Sequence, residues 1–165
     1  MNMPQPNGKV ADRPFPWVCP RCSKSEVRPA IKSHTAIVKH DGVIHSLNIP
    51  RLEIPTCGHC GEELFSNRVD EQINDALRSY LHLLTPRQIR VARKALGLHP
   101  RELAERLRIA PALLFRWETG SRIQSGAMDN YLRVFFAIPA VRDALIGQGQ
   151  DPEFGTRRAI QSGSR

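Results

Sequence analysis

Two short cysteine pairs, Cys19-Pro20-Arg21-Cys22 and Cys57-Gly58-His59-Cys60, constrain this chain more than any other feature. A Cys-x-x-Cys turn aims two thiolates at one point while its backbone N–H groups donate to the sulfurs, and a small residue such as Gly61 permits the tight geometry. Two such turns supply four sulfurs for a tetrahedral site, so the chain between them must leave one turn and return to the other. In a reducing compartment the pattern means metal more often than disulfide. The competing readings are four free buried cysteines or a redox dithiol, and no thioredoxin-like strand and helix pattern surrounds either pair. One structural Zn²⁺ held by Cys19, Cys22, Cys57 and Cys60 is expected, with tetrathiolate iron as the other metal option. His34, His40, His45 and His59 are scattered and read as surface or strand histidines rather than ligands.

Between the pairs, Ile31 to Lys39 is rich in β-formers, Asp41-Gly42 is a hairpin turn signal, and Val43 to Ile49 returns as the partner strand. Leu52 to Ile54 reads as a third strand. The expectation is a small antiparallel sheet closed by metal, with too little core to be stable without it. The period then changes: Val69, Ile73, Leu77, Tyr80, Leu81 and Leu84 share one face of a helix.

The remainder reads as helical. Thr85 caps a helix with Pro86 at its first position, Ile89, Ala92, Arg93 and Leu96 share a face, and Gly97 supplies a left-handed stop. A second helix begins near Pro100 with Leu103, Ala104 and Leu107 inward. A third begins at Pro111, buries Leu114 and Trp117 and stops at Gly120, leaving Arg116 on the outer side. Three short helices with two tight turns form a helix-turn-helix, whose exposed helix docks in a DNA major groove. Two further helices follow, one carrying Leu132, Phe135 and Phe136 and one from Pro139 to about Ile146. The fold class is therefore α+β in two small domains. Residues 1–16 are expected to be disordered, 17–68 to bind metal, 69–84 to form a linking helix, 85–146 to bind DNA and dimerise, and 147–165 to form a disordered tail.

Charge separates the two parts. Thr85 to Ile146 holds eleven Lys/Arg against five Asp/Glu, whereas Trp17 to Tyr80 holds eight of each. The excess of the +8 chain thus sits mainly on the helix-turn-helix, as phosphate partners require, although a solvated basic face is the plain alternative. No apolar run approaches a membrane span and the N-terminus lacks the apolar core of a signal peptide, so a cytoplasmic protein is expected.

Leu96-Gly97-Leu98, Glu102-Leu103-Ala104 and Arg116-Trp117-Glu118-Thr119-Gly120 resemble the repressor-type helix-turn-helix of phage Cro and related regulators. The resemblance implies an ion pair between Arg93 and Glu118 that ties the first helix to the third. An arginine interrupting an apolar stripe needs such a partner, because an unpaired buried charge is costly. Taken together, Cys-Pro-x-Cys, Cys-x-x-Cys-Gly-Glu, the helix and Leu84-Thr85-Pro86 resemble the MqsA-type antitoxins, also called YgiT-type zinc finger proteins. That resemblance implies a zinc domain that masks a partner toxin and a C-terminal domain that dimerises and represses their shared operon. It carries zinc ligation onto the four cysteines and base reading onto Arg116. The best-known member of that family also reads bases with an asparagine near the start of this helix; the position here is Ala112, so that contact does not carry over. The chain departs from the repressor pattern at His99-Pro100 and at Arg108-Ile109-Ala110, where polar caps are usual.

The leading expectation is a repressor and antitoxin of a type II toxin–antitoxin system, and the runner-up is a stand-alone zinc-containing regulator. An enzyme is not expected: four sulfurs leave no open metal position, and the His-x-Glu of a zinc deaminase does not occur. Leu113 and Phe115, commonly polar in repressor-type domains, are expected with Ala112 and Arg116 on the groove-facing side, where apolar groups can meet thymine methyls or a protein surface. Arg87, Arg101, Arg108 and Arg122 are the candidate phosphate contacts. Surplus apolar residues at Tyr131, Leu132, Val134, Phe135, Phe136 and Ile138 suggest a homodimer interface.

Overall fold

The computed structural model describes residues 14–146. The stretch 1–13 and the tail from Gly147, both expected to be disordered, lie outside the described residues. Within the described residues Phe15, which falls in the stretch 1–16 expected to be disordered, stacks on Trp17 with ring centroids 4.3 Å apart.

Strands β1 (Val27–His40) and β2 (Val43–Cys57) form one antiparallel hairpin. Its turn residues Asp41 and Gly42 have φ of 50° and 81°, the paired left-handed conformations of a tight two-residue hairpin that Asp-Gly accepts. The expected third strand at Leu52 to Ile54 is instead the continuation of β2. Pro50 does not end the strand because the register shifts there, between Lys32 and His34, so Pro50 and Arg51 lie opposite Ser33 alone. A proline is tolerated at such a bulge, where its missing N–H costs no ladder bond.

Helix α1 (Asn67–Tyr80) does more than link. Its Val69 and Leu77 are buried together with Ala36, Leu47, Ile49, Leu52 and Ile54, so the helix covers one face of the hairpin and supplies two of the seven buried residues of that core. Tyr80, expected on that inner face, is exposed and meets the His45 ring edge-on, since the helix ends there.

The helical part follows as α2 (Pro86–Ala95), α3 (Pro100–Arg106), α4 (Pro111–Thr119), α5 (Gly126–Ala137) and α6 (Pro139–Ile146). Thr85 caps α2 in a reciprocal box: its Oγ1 accepts from the Gln88 N–H at 3.2 Å, and the Gln88 side chain accepts from the Thr85 N–H at 2.7 Å. Gly97 and Gly120 adopt the left-handed φ of 67° and 83° that ends α2 and α4. Ile89, Leu103, Ala104, Leu107, Leu114, Trp117, Leu132 and Phe135 form one core. The two-domain α+β layout is the expected one.

Within that core, Arg93 Nε donates to Glu118 Oε1 at 2.7 Å and Nη2 to Oε2 at 3.1 Å, while Nη1 reaches the Leu98 carbonyl at 2.8 Å. Both side chains are over nine-tenths buried. The forked geometry satisfies both carboxylate oxygens and ties α2 to α4. Arg93→Ala should therefore cost about 3–5 kcal/mol in urea unfolding, because it strands a buried carboxylate. A change within ~0.5 kcal/mol, the range of surface substitutions, would contradict this role.

Candidate metal centre and nucleic-acid interface

The two cysteine turns are near copies of each other. The Cys19 N–H donates to Lys24 and the Ser23 N–H to Cys19; in the second turn the Cys57 N–H donates to Glu62 and the Gly61 N–H to Cys57, all at 2.8–2.9 Å. The residue after each pair is left-handed, Ser23 at φ 60° and Gly61 at 73°. These turns leave further N–H groups aimed at the sulfurs. The hairpin joins them, since Val27 at the start of β1 lies opposite Cys57 at the end of β2.

All four Sγ atoms lie within 4.8 Å of one another, with Cys19–Cys60 at 3.6 Å and Cys22–Cys57 at 3.7 Å. Tetrahedral zinc bonded to sulfur at ~2.3 Å has S···S edges of about 3.8 Å, which the Cys19–Cys60 and Cys22–Cys57 pairs nearly match, so the cluster is compatible with such an ion. None is in a disulfide. The electrostatics agree. The backbone N–H of Cys60, and then that of His59, hold Cys57 down to about 7. The Glu62 N–H favours a Cys60 thiolate too, but burial and the three neighbouring thiols outweigh it and push that pKa up to about 12. Four sulfurs this close resist joint ionisation unless a cation offsets their charge. His59 between the second pair is exposed, and no histidine joins the cluster among the described residues.

At the helical end, α4 turns one face outward. Ala112, Phe115, Arg116 and Thr119 are exposed, Phe115 by 66%. Leu113 departs from expectation. It lies four residues before the buried Trp117 and therefore on the same helical face, half-buried against the core and beside the hairpin turn. Its side chain is therefore only partly exposed, unlike those of Ala112, Phe115 and Arg116. Arg87, Arg101, Arg108 and Arg122 are exposed, and like Arg116 none has a carboxylate partner among the described residues. Arg108 occupies the turn between α3 and α4 with φ 52°, a left-handed position that glycine ordinarily fills. Val134 and Ile138 are exposed by 39% and 43%, Tyr131 and Phe136 are half-buried, and Leu132 and Phe135 are wholly internal.

Sequence reasoning missed the contacts that fix this head to the sheet domain. Arg78 of α1 is buried, its Nη1 donating to Asp75 at 2.9 Å and its Nη2 to the carbonyl of Gly120, the residue that ends α4, at 3.0 Å. Asp41 of the hairpin turn accepts from the Gly126 N–H at the start of α5 at 2.7 Å. Asp129 accepts from the Leu84 N–H at 2.7 Å and from Gln124 at 2.9 Å, and Gln124 in turn donates to the Leu84 carbonyl. Arg78 sits on a polar position of an amphipathic helix, so periodicity gives no signal for it.

Residues 89–128 match the helix-turn-helix family. That span runs from α2 into the start of α5 and includes the outward face of α4. No curated protein matches the chain. A helix-turn-helix with unpaired arginines around its exposed helix is built to bind DNA. No helix among the described residues is long and apolar enough to cross a membrane.

The four-sulfur site carries a stability prediction. Chelation of its ion should make all four thiols reactive and melt the sheet domain while the helical core survives. Thiol titration with and without chelator, followed by circular dichroism, checks this; full thiol reactivity of the metal-replete protein would contradict it.

Proposed function

We propose that this chain is a transcriptional repressor that also serves as the antitoxin of a type II toxin–antitoxin system in the cytoplasm, with a structural zinc ion in the four-cysteine site and no catalytic role. The observation that carries the DNA-binding part is the outward face of α4, where Arg116 stands free beside Phe115 and Ala112 among unpaired arginines. In this reading the recognition helix enters the major groove. Arg116 makes a bidentate contact to guanine, while Phe115 and Ala112 meet thymine methyls. Arg87, Arg101, Arg108 and Arg122 bind phosphates and fix the register. Val134 and Ile138 lie in a two-fold interface, so that two heads read a palindrome.

Arg116→Ala should cost about 1–3 kcal/mol at a single base pair and relax specificity there. Arg101→Ala or Arg108→Ala should weaken all sequences alike and reduce the salt slope by about one unit. Val134→Asp should convert a sedimenting dimer to a monomer and weaken operator binding. Operator titrations over a range of salt test these roles; equal weakening of specific and random DNA by Arg116→Ala would refute base reading.

The antitoxin part is supported by the separate, charge-neutral sheet domain, which the DNA-binding head does not need for its own core. Expressing the gene beside this one should arrest growth, and co-expression of this chain should restore it. Growth unaffected by that gene would leave a stand-alone zinc-containing regulator.

A further inference from the structure

The hairpin leaves most of its β1 edge open and the half of its β2 edge next to the turn. In an antiparallel ladder closed by a two-residue turn, the flanking pair, His40 and Val43, exchanges both hydrogen bonds, and the next pair points its N–H and C=O groups outward. Counting back along β1 by twos, the outward groups belong to Lys39, Ile37, Thr35, Ser33 and Ile31.

The two edges differ in protection. On β2, the Gln72 side chain covers Glu53 like a short strand, accepting from its N–H at 2.9 Å and donating to its carbonyl at 3.0 Å. The Leu64 N–H reaches the Pro55 carbonyl at 2.8 Å, and Thr56 bridges Glu63. Among the described residues Ile44, Ser46, Asn48 and, at the bulge, Arg51 remain uncovered there. On β1, Trp17 pairs with Val27 and Pro29 has no N–H to offer. From Ile31 to Lys39 none of the outward backbone groups has a partner among the described residues.

An edge of that length is a template for another strand, and soluble proteins normally blunt it. Beside it runs a groove of about 510 Å³, floored by residues 34–38 of β1 and walled by Asp70, Ile73 and Asn74 of α1. On the opposite face, Ile31 and Ile37 are 58% and 68% exposed. An added strand would set one row of side chains against Ile73 and the other beside Ile31 and Ile37. Charge selects the occupant. Strand β1 has no acidic residue; Lys32 is paired with Glu63 and His40 lies beside Asp41, which leaves Arg28 and Lys39 as its unpaired fixed cations among the described residues, so a second copy would bring no complementary charge to this edge. Asp70 is the one acid of the lining.

We infer that the outer edge of β1 is a docking site for a partner protein, which adds an extended strand with acidic residues and apolar residues at alternate positions. This rests on the antitoxin reading, with the partner being the protein encoded beside this gene. The main-chain bonds supply affinity and the Ile73 groove supplies register.

The test uses the full, zinc-loaded chain and that protein. Hydrogen exchange should show the amides of Ile31, Ser33, Thr35, Ile37 and Lys39 slowed in the complex and those of Ile44, Ser46 and Asn48 unchanged. Ile37→Pro removes an outward N–H that the hairpin does not use, and should weaken the complex about tenfold or more, whereas Ser46→Pro on the other edge should not. Lys39→Glu, which leaves the backbone intact, should also weaken it. A complex that tolerates Ile37→Pro and Lys39→Glu alike overturns edge docking and leaves the antitoxin reading standing. No complex with the unaltered chain overturns both. Slowing of the same amides in the chain alone as its concentration rises assigns the edge to a second copy and overturns the partner strand.

Discussion

Four sulfur atoms within 4.8 Å of one another are the point at which the sheet domain begins and ends. The hairpin's first residue, Val27, and its last, Cys57, are held there by two nearly identical turns, and the buried cluster around them is made largely of the cysteines themselves, with Trp17 and Val27. A two-stranded ribbon has little apolar surface to bury, and here α1 covers only one of its faces. The register that pairs β1 with β2, set at the far end by the Asp41-Gly42 turn, brings these two ends together at the sulfurs.

At the other end of the hairpin the same rigidity is used differently. The turn carries Asp41 to the start of α5, and the covering helix carries Arg78 to the end of α4. These two polar contacts bracket the segment that follows the recognition helix. Charge-assisted bonds to backbone groups are directional, so they set an angle between the domains where apolar packing alone would allow sliding.

Helix α4 has a mixed surface because it packs on the helical core and stands beside the hairpin turn. Its short length and the i, i+4 relation put Leu113 over Trp117 and leave Ala112, Phe115 and Arg116 outside. The ion pair from Arg93 to Glu118 fixes the rotation of the helix about its own axis and thereby decides which residues those are.

The sequence by itself determined the four-cysteine cluster, the hairpin turn at Asp41-Gly42, the caps at Thr85, Gly97 and Gly120, and the helix-turn-helix. Each of these is written in local chemistry, through a ligand spacing, a left-handed backbone position or an apolar period. Tertiary structure alone decided the rest. The bulge at Pro50 and Arg51 merged two expected strands into one, because a partner strand can absorb an irregularity that looks like a break when read alone. Helix α1 became part of the sheet's core because the hairpin offered it an apolar face. Leu113 turned inward because the hairpin turn stands beside it, and Arg78, Gln124 and Asp129 became structural because their partners lie forty or more residues away for Arg78 with Gly120, Gln124 with Leu84 and Asp129 with Leu84. Polar residues of this kind have no period, and their role depends on a distant backbone group that no local pattern reveals.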